Sequence, residues 1–353
     1  MKISKRILNW YDCNARDLPW RIPPSQSKAG IKPHPYHVWL SEIMLQQTTV
    51  KAVKPFYYRF ITKWPSIIEL ASAKDEDIME AWAGLGYYSR ARNLIKCARL
   101  VVKDYNSIFP QDEKLLLELP GIGPYTASAI RAIAFNKKAN VIDANIDRVI
   151  VRLFVIMTPI SLSKTKIKTH AAAIIPKNRF GDYAQALMDL GSQICTPKNP
   201  KCNSCPIKSE CNSYKQDKTN CIPKPLIKKP KPIRYGYVFV ILTKNNTILL
   251  ERRPNLGILG GMLAFPGTIW QESNELKLFP PFQASWDILN QPVNHTFSHF
   301  HLELKIAISI VARPPSKYLE ISLDTFNPKS LPTLMRKVFA MSANRISKAS
   351  LTY

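Results

Sequence analysis

Leu119-Pro120-Gly121-Ile122-Gly123-Pro124-Tyr125-Thr126-Ala127 leads from one apolar segment into an Ala-rich one. Its two glycines permit a tight turn and close approach of the backbone to another molecule. Backbone N–H groups at the start of the following helix can hold an anion. Such a hairpin would grip one phosphate without reading sequence. A Gly-x-Gly turn alone is equally a plain helix-to-helix connection, so its neighbours must discriminate.

Upstream, Val38 to Gln47, Glu76 to Ala83 and Ser89 to Val102 lack internal Pro and Gly and carry apolar residues at three-to-four spacing. That period predicts helices. Short turns such as Gly84-Leu85-Gly86 separate them. Downstream, Ile146, Val149, Ile150 and Leu153 form another apolar stripe, and Asp143 is well suited to cap the helix Ala144 to Phe154. Residues 222–234 alternate Pro with Lys, including Lys228 and Lys229, and read as an interdomain linker that can track phosphates. Beyond it the period changes. Tyr237 to Leu242 and Thr247 to Leu250, across a Lys-Asn-Asn turn, predict a hairpin, and Leu302 to Ile310 alternates like a strand. The last third, 235–353, is a smaller, strand-rich domain.

Charge narrows the partner. The chain has 353 residues, with 50 Lys and Arg against 25 Asp and Glu, a net +25. Residues 1–234 hold 38 basic and 18 acidic residues, an excess of 20, and residues 235–353 hold 12 and 7, an excess of 5. A field of that sign favours nucleic acid. No apolar run approaches the roughly 18 to 20 residues of a membrane span. Met1 to Asn9 lacks the apolar stretch and cleavage site of a signal peptide. Secreted, membrane-spanning and acid-tail classes are disfavoured. The expectation is a cytoplasmic, nucleoid-associated protein acting as a monomer.

Four of seven cysteines, Cys195, Cys202, Cys205 and Cys211, are spaced Cys-x6-Cys-x2-Cys-x5-Cys. Four thiolates in a short loop can close around one metal centre. Zinc is an alternative, although four-cysteine zinc sites usually carry two Cys-x-x-Cys pairs. Disulfides are disfavoured because nothing indicates export. Cys97 lies on an apolar stripe and reads as core; Cys221 is treated as free.

Together these strings resemble the endonuclease III-like DNA glycosylases. The cysteine spacing is similar to their [4Fe–4S] loop, and 119–127 is similar to their helix–hairpin–helix motif, with Gly121 and Gly123 at the DNA. The implied architecture is an all-α helix–hairpin–helix glycosylase region over 1–221. A six-helix lobe would span about 36–133, and an iron–sulfur lobe would combine 1–35 with 134–221. The aspartate essential to that family falls on Asp143, with Asn145 beside it.

Within this superfamily the chain resembles the adenine-excising, MutY-type branch. Trp39-Leu40-Ser41-Glu42-Ile43-Met44-Leu45-Gln46-Gln47-Thr48 is similar to its catalytic helix, which makes Glu42 the catalytic carboxyl. A carboxyl among Trp, Leu and Met is poorly solvated and its pKa should rise, which suits a general acid. Leu18-Pro19-Trp20-Arg21 resembles the adenine-pocket entry, so Trp20, Arg21 and Gln185 are pocket residues by resemblance. Gly84 to Asn93 resembles the wedge region, which implies that Gln47, Leu85 and Tyr87 meet the duplex. Superfamily members that also cut the backbone carry a lysine where this chain has Tyr125. A phenol cannot form the Schiff base. Tyr125 therefore joins Glu42, Asp143 and Asn145 as a catalytic candidate in an enzyme that releases a base without efficient strand cleavage.

Gly260 to Gly267 and Asn294 to Leu302 resemble the α+β Nudix-like recognition domain of the same branch, with Phe297, Ser298 and His299 at its 8-oxoguanine-reading turn. A true Nudix hydrolase needs a glutamate-dense helix after the glycine turn. Residues 271–276 offer only Glu272 and Glu275, so nucleotide hydrolysis is not expected. The implied activity is release of adenine opposite 8-oxoguanine or guanine in double-stranded DNA. A pyrimidine-lesion glycosylase/lyase and a non-catalytic iron–sulfur DNA-binding protein are the alternatives. Residues 22–35 form an insertion expected as a surface loop.

Overall fold

Helices fill the chain up to Lys215, and strands take over from Ile233, in the computed structural model, which describes residues 2–226, 230–254, 257–313 and 315–351. The chain divides into two units, Met1–Ile227 and Lys228–Tyr353. Of the expected linker, Ile227, Lys228 and Lys229 lie outside the described residues, and β1 (Ile233–Thr243) begins inside that stretch.

The first unit opens with α1 (Lys2–Asn14) and a short α2 (Pro24–Lys28), so the insertion at 22–35 is not wholly loop. Proline at the first helical position explains α2, because its missing N–H would be unpaired there anyway. There follow α3 (Pro35–Leu45), α4 (Val50–Lys63), α5 (Ile67–Ser72), α6 (Asp75–Trp82), α7 (Ser89–Asp104), α8 (Glu113–Glu118) and α9 (Pro124–Ile133). The lobe expected as six helices thus holds seven. A capping box between Ser66 and Glu69 starts α5 separately, and three acidic residues favour a new start at α6. Then come α10 (Ala144–Leu153), α11 (Lys164–Ala173), α12 (Phe180–Gln193) and α13 (Asn212–Lys215).

One apolar core runs through this unit. Trp39, Tyr57, Phe60, Trp82, Ile130 and Ile150 are each fully or almost fully buried in it. Helix α3 is apolar on all sides, as a central helix must be, and eight of its eleven residues are buried. Gly191 lets α12 press against the start of α10: a Cβ there would lie 2.6 Å from Asn145 Cβ and 3.0 Å from its carbonyl oxygen.

The second unit is a sheet in the order β3-β2-β1-β6-β4, with β5 also on β6 and β7 on β2. Its strands are β1 (Ile233–Thr243), β2 (Thr247–Arg252), β3 (Leu263–Ala264), β4 (Asp287–Ile288), β5 (Val293–Thr296), β6 (His301–Val311) and β7 (Leu319–Ser322). β1 and β2 form the expected antiparallel hairpin, Leu242 opposite Ile248. β1 pairs in parallel with β6 over eleven positions, Ile233 opposite His301 through Thr243 opposite Val311. Alternation then sorts the faces. Val238, Val240, Leu304 and Ile306 pack in one core with Leu334, Met335 and Val338 of α14 (Thr333–Leu351), whereas Tyr237, Phe239 and Ile241 enter a second core. No described helix is long and apolar enough to cross a membrane.

Candidate active site

A cavity of about 480 Å³ in the helical unit is bordered by Glu42, Tyr125, Asp143, Asn145, Arg21 and Gln185, among others. Residues from α3, α9, α10 and α12, remote in sequence, therefore share one space. Glu42 is 6% exposed. Burial pushes its carboxyl pKa up to about 7; the hydrogen bond from Tyr125 opposes this, the Asp143 charge adds to it, and the Arg21 charge opposes it. The Tyr125 hydroxyl donates to Glu42 Oε2 at 2.8 Å. Burial, then the neighbouring carboxylates, hold the Tyr125 phenol well above its ordinary range, so it stays a donor.

Asp143 is the N-cap of α10, as its position suggested: Oδ1 accepts from Ile146 N at 2.7 Å. Asn145 Nδ2 donates to its other oxygen at 2.8 Å. Burial raises the Asp143 pKa, while these hydrogen bonds pull it back. Asn145 Oδ1 accepts in turn from Arg148 at 3.0 Å, and Arg148 Nε donates to the Cys195 carbonyl at 2.7 Å. One chain of hydrogen bonds thus joins Asp143 to the cysteine loop.

Trp20 and Gln185 are buried on the cavity wall, with Trp20 edge-on to Tyr57. Arg21 is held by Asp189, whose carboxylate is fully buried and accepts from Arg21 Nη1 at 2.9 and 3.0 Å. Asp189 also accepts from the Arg16 backbone N at 2.9 Å and from Arg16 Nε at 2.6 Å. Arg16, Met188 and Gln46 border the cavity as well; neither they nor Asp189 were among the residues the sequence marked out for the site. A signal for Asp189 was present: an aspartate between Met188 and Leu190 on an apolar helix requires a cationic partner.

Gln47, which borders the cavity, and Tyr87 are exposed and both have positive φ, +55° and +47°. Leu85 differs from its expected place at the DNA. Its side chain is 6% exposed and belongs to the core, because the turn 84–86 folds it inward. In the hairpin, Gly121 has φ +82°, and a Cβ there would lie 2.9 Å from Asn93 Cβ, so glycine is required. Gly123 is the N-cap of α9 in extended conformation.

Cys195, Cys202, Cys205 and Cys211 border one small cavity, and none is in a disulfide. Among the described residues, no three His, Cys, Asp or Glu groups gather so as to hold a single metal ion. Arg152, almost fully buried, donates to Cys195 Sγ at 3.3 Å and to the carbonyls of Thr196 and Pro197 at 2.7 and 3.1 Å. Cys97 is buried in the core, and Cys13 and Cys221 are exposed.

In the second unit, Phe297 stacks on Trp270 with centroids 5.7 Å apart, and its N–H closes a turn on the Phe300 carbonyl at 2.9 Å. Ser298 and His299 project from that turn, both exposed. No helix follows Gly260-Gly261 before β4 among the described residues.

The family model for the HhH-GPD superfamily base excision DNA repair proteins matches residues 40–177, and that for the NUDIX domain matches 237–341. The chain is 37% identical to an adenine DNA glycosylase of Buchnera aphidicola, over 94% of both chains. It is 31% identical to the human adenine DNA glycosylase, over 94% of this chain and 72% of that one. A solved thermostable thymine-DNA glycosylase superposes on 61% of this chain and 95% of its own, with TM-score 0.53 and 31% identity. Carboxyls enclosed by a helical DNA-repair fold, a NUDIX-type second unit and relatives matched nearly end to end agree: the chain belongs to the adenine DNA glycosylase family of base excision repair, within the HhH-GPD superfamily.

Proposed function

We propose that the chain hydrolyses the N-glycosidic bond of adenine mispaired with 8-oxoguanine or guanine in double-stranded DNA, without an obligatory strand-cutting step. One observation carries this reading: Glu42 and Asp143 border the same cavity, and Tyr125 is hydrogen-bonded to Glu42. The adenine is turned out of the stack into the cavity. Glu42, held protonated by burial, gives its proton to adenine N7 and makes the base a better leaving group. Asp143, fixed by Ile146 and Asn145, stabilises the positive charge that develops on the sugar. Glu42, now a carboxylate, takes a proton from the water that attacks C1′, an acid-then-base exchange between paired carboxyls. Tyr125 orients Glu42 and offers no amine for an imine.

Gly121 and Gly123 present the hairpin backbone to a phosphate, and Gln47 and Tyr87 enter the duplex beside the lesion. The turn at Phe297, Ser298 and His299 reads the opposite base. The four-cysteine loop suits a [4Fe–4S] cluster. Its four soft donors border one void, and among the described residues the buried Arg152 guanidinium has no carboxylate partner, so thiolate charge would balance it. Bound there, the cluster would brace the loop carrying Lys198 and Lys201 toward phosphate.

The test is excision on duplexes with adenine opposite 8-oxoguanine, guanine, cytosine or thymine, beside a thymine glycol duplex treated with borohydride. Adenine release confined to the 8-oxoguanine and guanine pairs is expected. Abundant trapped covalent complex on thymine glycol, or no adenine release, would overturn the reading.

A further inference from the structure

Arg90 lies on α7, outside the cavity lining, and is 7% exposed. Its guanidinium is spread over two segments. Nη1 donates to the carbonyls of Ile43 at 2.9 Å and Met44 at 2.7 Å, at the C-terminal end of the helix that carries Glu42. Nη2 donates to Thr48 Oγ1 at 3.1 Å and to the carbonyls of Leu85 and Gly86 at 3.3 and 3.1 Å. The same group lies 5.2 Å from the Trp82 ring centroid and 5.6 Å from that of Tyr87. Its backbone N–H donates to the Tyr87 carbonyl at 2.9 Å.

The two segments share an unusual feature. Each presents one exposed, non-glycine residue in left-handed backbone: Gln47 between Met44 and Thr48, and Tyr87 directly after Gly86. Such a conformation persists only where its surroundings over-determine it. Arg90 is the side chain that bonds to both. A planar fork with five N–H donors can serve acceptors in two directions at once, and a cation at the end of α3 also suits the helix dipole.

We propose that Arg90 is a positioning residue that sets Gln47 and Tyr87 at a fixed separation and ties both to the helix bearing Glu42. One side chain thereby couples entry into the duplex to capture of the extruded base. This rests on the reading above that Gln47 and Tyr87 enter the duplex. Arg90 touches neither the cavity nor the reacting atoms, so its loss weakens extrusion and leaves the chemical step in place.

The experiment compares single-turnover adenine release from two duplexes. In one the adenine is opposite 8-oxoguanine; in the other it is opposite an abasic site, where little pairing opposes extrusion. Arg90→Lys keeps the charge and loses the fork. It is expected to lose at least about tenfold on the paired duplex and no more than about threefold on the unpaired one. Its pH profile stays unchanged, and the fluorescence rise of 2-aminopurine at the target position is blunted. The ratio of the two losses is internal to each preparation, so partial unfolding cancels. Thr48→Val, which removes one acceptor, gives a smaller loss in the same pattern and serves if Arg90→Lys does not fold. Equal loss on both duplexes, or no loss on either, would overturn the proposal. Tyr87→Ala on the same pair separates the two readings. If it shows no paired-specific loss, the duplex-entry reading falls and the inference with it. If it does and Arg90→Lys does not, only the Arg90 inference falls.

Discussion

Tyr125 and Glu42 meet through a 2.8 Å hydrogen bond, although 83 residues separate them in the chain. By resemblance the phenol stands where lyase members of the superfamily carry a nucleophilic lysine. It spends its one donor on the acid. With no amine at that point, the geometry favours proton transfer over imine formation. It also makes the acidity of Glu42 adjustable from outside its own helix.

Glu42→Gln keeps the volume and removes the proton donor. Single-turnover adenine release should fall by about 100- to 10,000-fold, the usual share of general acid catalysis. Affinity for the mismatched duplex should stay within about threefold, read by fluorescence anisotropy. Near wild-type release would remove Glu42 from the mechanism.

The pH dependence follows from the raised pKa. Release by the wild type should decline as pH rises through about 7, because the acid form is lost. The Tyr125 bond lowers that pKa, so Tyr125→Phe should move the alkaline limb to higher pH. A limb that stays put or moves down contradicts the assigned donor.

Stability falls with rising pH as activity does, but Glu42→Gln moves the two in opposite directions. The folded pKa of Glu42 lies above its ordinary value of 4.5, so the fold binds the proton more tightly than the unfolded chain does. Stability is fullest below pH 4.5 and declines as pH climbs toward 7, by roughly 3 kcal/mol in all. Glu42→Gln should therefore raise the Tm at pH 8 and leave it nearly unchanged at pH 4.5. A Tm lowered at pH 8 would mean that the ionised carboxylate is well compensated.

Asp189 is enclosed with Arg16 and Arg21, and breaking a buried pair leaves an uncompensated charge. Asp189→Asn should cost about 3 to 5 kcal/mol in denaturant unfolding. Arg21 loses its anchor on the cavity wall, so KM should rise as well. Unfolding within 1 kcal/mol of wild type would show that the arginines find other partners.

Gly191→Ala places a methyl group 2.6 Å from Asn145 Cβ and 3.0 Å from its carbonyl oxygen, and backbone must move to admit it. Overpacking of this kind costs about 1 to 3 kcal/mol. Because Asn145 holds Asp143, adenine release should fall in parallel with Tm. Gly123→Ala is the contrast: its Cβ meets nothing within 4 Å, and Tm should hold.

Much of this protein was legible in one dimension, because its informative features are local. A tight turn needs Gly121 whatever surrounds it, and its φ of +82° is a property of that backbone. Asp143 caps α10 through an N–H three residues away, and four cysteines within 17 residues share a cavity by chain reach alone. The alternation from Ile233 onward announces a sheet because pleating has a period of two. Packing decided what spacing could not. Leu85 belongs to a wedge-like string, yet its side chain turns into the core, since only the folded turn selects which face looks out. Asp189 acquired Arg16 and Arg21 from more than 160 residues away, and Arg90 acquired carbonyls on two separate segments. Those partners are chosen by the requirement that buried charge be satisfied, and that requirement arises only once the core has closed. Sequence therefore determined the parts and their chemistry, and tertiary structure decided which of them hold one another in place.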